Sequence, residues 1–219
     1  MQIEVNGVTL WYRKAGSGDP LILVHGNGES HEIFNEAVEV LRHHFTVYAV
    51  DSRGHGKSTP VKEFHYQDMA DDLKEFITKL GLKNVTFYGF SDGGILGLLL
   101  ASQTDLCRQY IVSGANSRTD GVSPKLVRML KLMYFVKRDP LLKLMVNEPN
   151  IPDSELQKIR TDFVLLAGSG DLITEAHTRH LHETIPGSRM EILDGEDHGS
   201  YIVHSTKIAD LILKYTGRT

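Results

Sequence analysis

Six short, almost unbroken apolar runs constrain this chain more than any other feature: Pro20–Val24, Phe45–Val50, Val85–Gly89, Gln109–Ser113, Phe163–Ala167 and Met190–Leu193. A strand with one wet face alternates apolar and polar residues, whereas a strand covered on both faces need not. Runs of this kind predict a parallel sheet sandwiched between helices. Helical patterns stand between them. Asp68–Leu80 sets Met69, Leu73, Phe76, Ile77 and Leu80 at helical spacing and stops at Gly81, a suitable C-cap. Ser91–Ser102, Ile173–Thr184 and Tyr201–Tyr215 read the same way. Near the start, Ile3 and Val5, then Val8 and Leu10, flank Asn6-Gly7, a dipeptide suited to a tight hairpin that adds an antiparallel edge. The expected fold class is α/β, a mostly parallel sheet with helices on both faces.

One stretch breaks the alternation. Residues 117–161 hold no strand-like run, but Val122–Val136 and Leu141–Val146 are apolar and helix-like, with Pro140, Pro149 and Pro152 as punctuation. A structureless loop that long is unusual. The expectation is one domain, 1–219, with a small helical cap insertion at about 117–161 covering a pocket.

Charge and cysteine content narrow the function classes. Lys plus Arg number 24 against 28 Asp plus Glu, a net charge of −4. That balance argues against a nucleic-acid partner and against polybasic membrane anchoring. The single Cys107 makes neither an internal disulfide nor a Cys-rich zinc site. No run approaches the ~18 apolar residues of a membrane span, and the start lacks the layout of a signal peptide. A cytoplasmic protein with no membrane partner is expected; the sequence is silent on oligomeric state.

The chemistry concentrates in Val85-Thr86-Phe87-Tyr88-Gly89-Phe90-Ser91-Asp92-Gly93-Gly94-Ile95, a strand, then G-x-S-x-G, then an apolar helix. A strand turning that sharply leaves its serine on a strained backbone above the sheet, near the positive end of the next helix. Serine attacks only when a base takes its proton, and the base needs a third group to hold its tautomer. Asp171 follows the run Phe163–Ala167, and His198 follows Met190–Leu193. Ser91, Asp171 and His198 are therefore expected at the carboxyl ends of three strands, where sites of open α/β sheets gather. Asp194, Glu196 and Asp197 lie closer to His198 in sequence but share its loop.

Five segments in order resemble the α/β-hydrolase superfamily over nearly the whole chain. They are His25-Gly26-Asn27-Gly28, Asp51-Ser52-Arg53-Gly54-His55-Gly56-Lys57-Ser58, the elbow around Ser91, Gly168-Ser169-Gly170-Asp171, and Asp194-Gly195-Glu196-Asp197-His198. The resemblance implies an α/β-hydrolase fold and an enzyme without cofactor or metal. It implies Ser91 as nucleophile, His198 as base and Asp171 as its orienter. The backbone N–H of Asp92 serves as one oxyanion donor, and that of Asn27 as the second, with Gly28 as the neighbouring choice. Dehalogenases and epoxide hydrolases of this fold carry Asp at the elbow, so Ser91 argues against both. His25 is read as bracing its loop, Arg53 as structural, and His177, His180 and His182 as a solvated helix face rather than a metal site.

The elbow and Gly114-Ala115-Asn116 are also similar to valacyclovir-hydrolase-like esterases, which favour α-amino acid esters. In that group an acid after this strand holds the substrate's ammonium, and Asp120 lies near that place, at a spacing that differs from the group's. The expected activity is hydrolysis of a small carboxylic ester, amino acid ester, thioester or activated amide through an acyl-serine. A receptor or regulatory protein holding a small ligand, and a carbon–carbon bond hydrolase with the same residues, are the alternatives. The expected pocket is apolar and rather open, lined by Gly28, Phe90, Asp120, Met129 and Met133.

Overall fold

In the computed structural model, which describes residues 1–218, eight strands form one sheet. They are β1 (Gln2–Val5), β2 (Val8–Gly16), β3 (Pro20–Val24), β4 (Thr46–Val50), β5 (Val85–Phe90), β6 (Cys107–Ser113), β7 (Asp162–Gly170) and β8 (Arg189–Asp197). Their order across the sheet is β1-β2-β4-β3-β5-β6-β7-β8. The first hairpin turns at Asn6-Gly7, both with positive φ, and pairs antiparallel, as does β2 with β4. The pairings from β4 to β8 are parallel. The six apolar runs thus make the six parallel strands.

Among the described residues eight α-helices complete the fold: α1 (Asn35–Leu41), α2 (Tyr66–Lys79), α3 (Asp92–Gln103), α4 (Pro124–Lys137), α5 (Pro140–Asn147), α6 (Asp153–Leu156), α7 (Glu175–Thr184) and α8 (Lys207–Thr216). Each central strand feeds two cores. Leu21 and Leu23 pack with α1 and α8, while Ile22 and Val24 pack with α2 and α3 on the opposite face. All four are fully buried, each worth about 1.5–3 kcal/mol relative to exposure.

Two elements differ from expectation. The helix and preceding turn over His31–Leu41 went unmarked in the sequence, where Asn-Glu-Ala-Val-Glu-Val-Leu is short and follows a polar loop. The last helix begins at Lys207, not Tyr201. Residues 201–204 form turns, with His204 at positive φ and its N–H bonded to Ile33 O. The interruption of the sheet holds α4, α5 and α6, between β6 and β7. It is tied down by isolated bridges Arg118–Asn150 and Val122–Ile173. Among the described residues no helix is long and apolar enough to cross a membrane.

Candidate active site

Ser91 follows β5 with φ 53° and ψ −113°, a backbone conformation that costs a residue with a Cβ and persists only where its surroundings enforce it. The enforcement is tight packing on both sides. A Cβ at Gly89 would lie 2.1 Å from Gly93 O, and one at Gly93 would lie 2.2 Å from Val24 O. The two flanking glycines are thus required by close backbone approach.

The Ser91 hydroxyl donates to His198 Nε2 at 3.1 Å. The other ring nitrogen, Nδ1, donates to Asp171 Oδ1 at 2.6 Å. Asp171 in turn accepts from the backbone N–H of Ile173 at 2.9 Å, and its side chain is almost fully buried. His198 is held from behind by the Phe90 ring, 5.0 Å between centroids. Ser91, His198 and Asp171 follow β5, β8 and β7 directly, so three strand ends bring them together. Asp197 turns away: its Oδ1 accepts from Gly199 N and Ser200 N, capping its own loop. Glu196 pairs with Lys207.

The backbone N–H groups of Asn27 and Asp92 find no acceptor among the described residues, whereas that of Gly28 donates to His55 Nε2 at 3.1 Å. This leaves Asn27 rather than Gly28 as the free donor on the early loop. The loop is braced from several sides. His25 is buried, with Nδ1 donating to Gly26 O and Nε2 accepting from Ser52 N. Burial lowers its pKa to about 4, so the ring is neutral. The Glu29 carboxylate, unmarked in the sequence, accepts from Gly26 N at 2.9 Å, and burial raises its pKa. Asp92 is buried, which raises its pKa; Tyr66 Oη donates to its Oδ1 at 2.8 Å and Asn27 Nδ2 to its Oδ2 at 2.9 Å. The Asn27 bond joins the two segments carrying the free N–H groups, and the Tyr66 bond ties Asp92 to α2.

A cavity of about 50 Å³ opens beside Ser91 and His198. Its apolar wall is made by Val122, Leu126, Leu130, Met145, Leu172 and Ile173; Tyr66, Asn116 and Glu148 supply the polar part. Several expected lining residues lie elsewhere. Phe90 packs beneath His198 in the α1/α8 core, because strand alternation sends it to the same face as Tyr88. Gly28 is spent on His55. Asp120 is exposed and pairs with Arg118 at 3.3 Å, so it faces solvent rather than the pocket. Met129 is half exposed, and Met133 sits a turn beyond Leu130, outside the lining. The pocket is also narrower than the short cap suggested, because α4 and α5 roof it closely.

The histidines of α7 need a correction too. His177 is buried against Gly121, and its Nε2 accepts from Ser117 N at 3.0 Å. Burial lowers its pKa to about 4. It anchors the start of the cap. His180 meets Asp153, and His182 meets Ser188. Among the described residues no cluster of three His, Cys, Asp or Glu side chains is placed to hold a metal ion.

The fold has known counterparts. A family model described as alpha/beta hydrolase fold matches residues 19–142. The human serine hydrolase BPHL is 25% identical over 92% of this chain and 80% of its own length. A soluble epoxide hydrolase from Corynebacterium sp. (strain C12) is 37% identical over 101 residues, 46% of this chain; the match spans only 35% of that relative. Among solved structures, an esterase from Exiguobacterium antarcticum superposes with a TM-score of 0.84 at 22% identity, covering 97% of each chain. The bromoperoxidase from Bacillus anthracis gives the same score at 21% identity, covering 96% of each.

Proposed function

The chain belongs to the alpha/beta hydrolase fold family, and from that premise we propose that it hydrolyses small carboxylic esters of short acyl chain through an acyl-serine at Ser91. One observation carries the reading. A serine hydroxyl on a strained turn points at a histidine whose far nitrogen is held by a buried carboxylate, 3.1 and 2.6 Å along the relay. The backbone N–H groups of Asp92, next in the chain to Ser91, and of Asn27, next to Gly26, whose added Cβ would lie 3.1 Å from Ser91 Cβ, have no acceptor among the described residues.

In the proposed reaction Ser91 Oγ attacks the ester carbonyl while His198 Nε2 takes its proton. Asp171 fixes the tautomer with Nδ1–H and stabilises the imidazolium that forms. The carbonyl oxygen, now negative, receives hydrogen bonds from Asn27 N–H and Asp92 N–H. Losing one such donor costs about 10²–10³ in rate. His198 then protonates the departing alcohol. Water enters, gives its proton to the same nitrogen and releases the acid from Ser91, which recovers its own proton.

Size sets the substrate class. One water molecule needs about 10–15 Å³ of such solvent-accessible space, so a cavity of about 50 Å³ has room for only a few small groups and favours a short acyl chain. A dedicated ammonium site at Asp120 is not part of the reading, since that carboxylate faces solvent. The human relative, a serine hydrolase, is consistent with the chemistry proposed.

A fluorophosphonate probe followed by peptide mapping tests the nucleophile: one adduct is expected, on Ser91. Ser91→Ala should abolish that adduct and lower kcat for p-nitrophenyl acetate by about 10⁴–10⁶, with its fold intact by circular dichroism. An adduct on another serine, or undiminished hydrolysis by the variant, contradicts the reading. Tight binding of short esters without turnover would instead indicate a receptor.

A further inference from the structure

The outer face of α4 carries an arrangement that hydrolysis does not use. At about 100° per residue, Leu126 and Leu130 turn toward the cavity, while Leu132, Phe135 and Val136 lie on the opposite side. Those three are 65%, 69% and 71% exposed, and Met129 beside them is 50% exposed. Together they make four of the six large apolar side chains exposed among the described residues, so the exposure is concentrated on one helix face rather than scattered.

The same stretch is cationic. Lys125, Arg128, Lys131, Lys137 and Arg138 fall within residues 124–138, which contain no Asp or Glu. The Arg138 guanidinium lies 5.3 Å from the Phe135 ring centroid, so charge and ridge are contiguous. The chain-wide charge of −4 is an average that conceals this segregation. A second copy of the chain docking by the same face would set these cations against their own duplicates. An apolar ridge rimmed by cations instead complements a surface that is apolar within and negative at its edge.

We propose that α4 docks by this face on an anionic lipid surface, lying in the interface with Leu132, Phe135 and Val136 inserted and the basic side chains among the headgroups. The ridge is built independently of the cleft, so the proposal stands whatever bond the enzyme cleaves.

Cosedimentation of the full chain with vesicles tests it, comparing pure phosphatidylcholine with phosphatidylcholine containing about one-third phosphatidylglycerol. Binding is expected to the anionic vesicles only, weakening as salt rises. Leu132→Ser/Phe135→Ser/Val136→Ser should weaken it about 100-fold, and Lys125→Glu/Lys131→Glu by about fivefold or more per residue. Phe135→Ser alone serves if the triple variant does not fold; a cooperative melt and retained hydrolysis of p-nitrophenyl acetate by either variant report the fold. Absence of binding to anionic vesicles, or equal binding by the wild type and the apolar variant, overturns the proposal. So does a concentration-dependent dimer that the apolar variant abolishes while vesicles remain unbound.

Discussion

Asp171 shows how much a single side chain decides in this site. Its buried carboxylate accepts from His198 Nδ1–H and from Ile173 N–H, so an amide there could present an N–H where an acceptor is needed. Asp171→Asn is expected to lower kcat about 10⁴-fold, as an imidazole held in the wrong tautomer cannot take the serine's proton, while urea unfolding changes little. If Asp197→Asn were inactive and Asp171→Asn active, the acid would be misassigned. That Ser91, Asp171 and His198 would meet was legible in the sequence because each comes within a few residues of the carboxyl end of an apolar strand run. Glu29 was not. It reaches the site only because the loop folds back to offer Gly26 N–H to its carboxylate, a contact no spacing rule encodes. Glu29→Gln, which keeps the acceptor, should retain most activity. Glu29→Ala should lose about tenfold or more in kcat by loosening the loop that presents Asn27 N–H, the proposed oxyanion donor. Equal rates for the two variants would remove Glu29 from the positioning of that loop.

The cap helix is the element whose position was legible and whose orientation was not. An interruption between strand runs, punctuated by prolines, marked where α4 and α5 would lie. But α4 has large apolar side chains on two opposite faces, so periodicity alone could not tell which one looks inward. Met129 and Met133 were expected in the pocket; Leu126 and Leu130 occupy it. The last helix misled for a related reason: Tyr201 and Ile202 are fully buried, and their apolar character reads as helix although they sit in turns. The lining assignment makes a prediction. Leu130→Ala should enlarge the cavity and shift the best p-nitrophenyl ester from acetate or propionate toward butyrate or hexanoate. It should also cost about 2–4 kcal/mol of stability. Met129→Ala should leave the chain-length profile as it is. A profile unmoved by Leu130→Ala, measured as kcat/KM from acetate to octanoate, would detach α4 from acyl selection.

Across the whole molecule, two buried histidines couple stability to pH. Sequence reading left His177 on a wet helix face, because burial by the cap depends on tertiary packing that helical spacing does not report. His25 and His177 both accept a backbone N–H at Nε2, from Ser52 and Ser117, and burial lowers both to about 4. In the unfolded chain a histidine titrates near ~6.5. Between those values the unfolded state binds more protons than the folded one, so stability rises with pH through this window and is lost as pH falls toward about 4. Each ring would contribute up to about 3 kcal/mol at neutral pH by this linkage. Asp92 and Glu29 act in the opposite sense. Burial raises their folded pKa values, so protonation favours the folded state and offsets part of the loss at the acid end. The histidine effect should therefore be clearest between about pH 6.5 and 5. His177→Gln isolates one share of it, since the glutamine oxygen can still accept from Ser117 N–H but cannot titrate. Urea unfolding of the wild type should show a falling midpoint over that range, and the variant a shallower slope by up to one proton. His177 lies at the start of the cap rather than in the relay, so hydrolysis of p-nitrophenyl acetate at neutral pH should persist in the variant. Identical pH slopes for the two proteins would mean that His177 keeps its ordinary titration in the folded state, and that the cap does not exclude water from it.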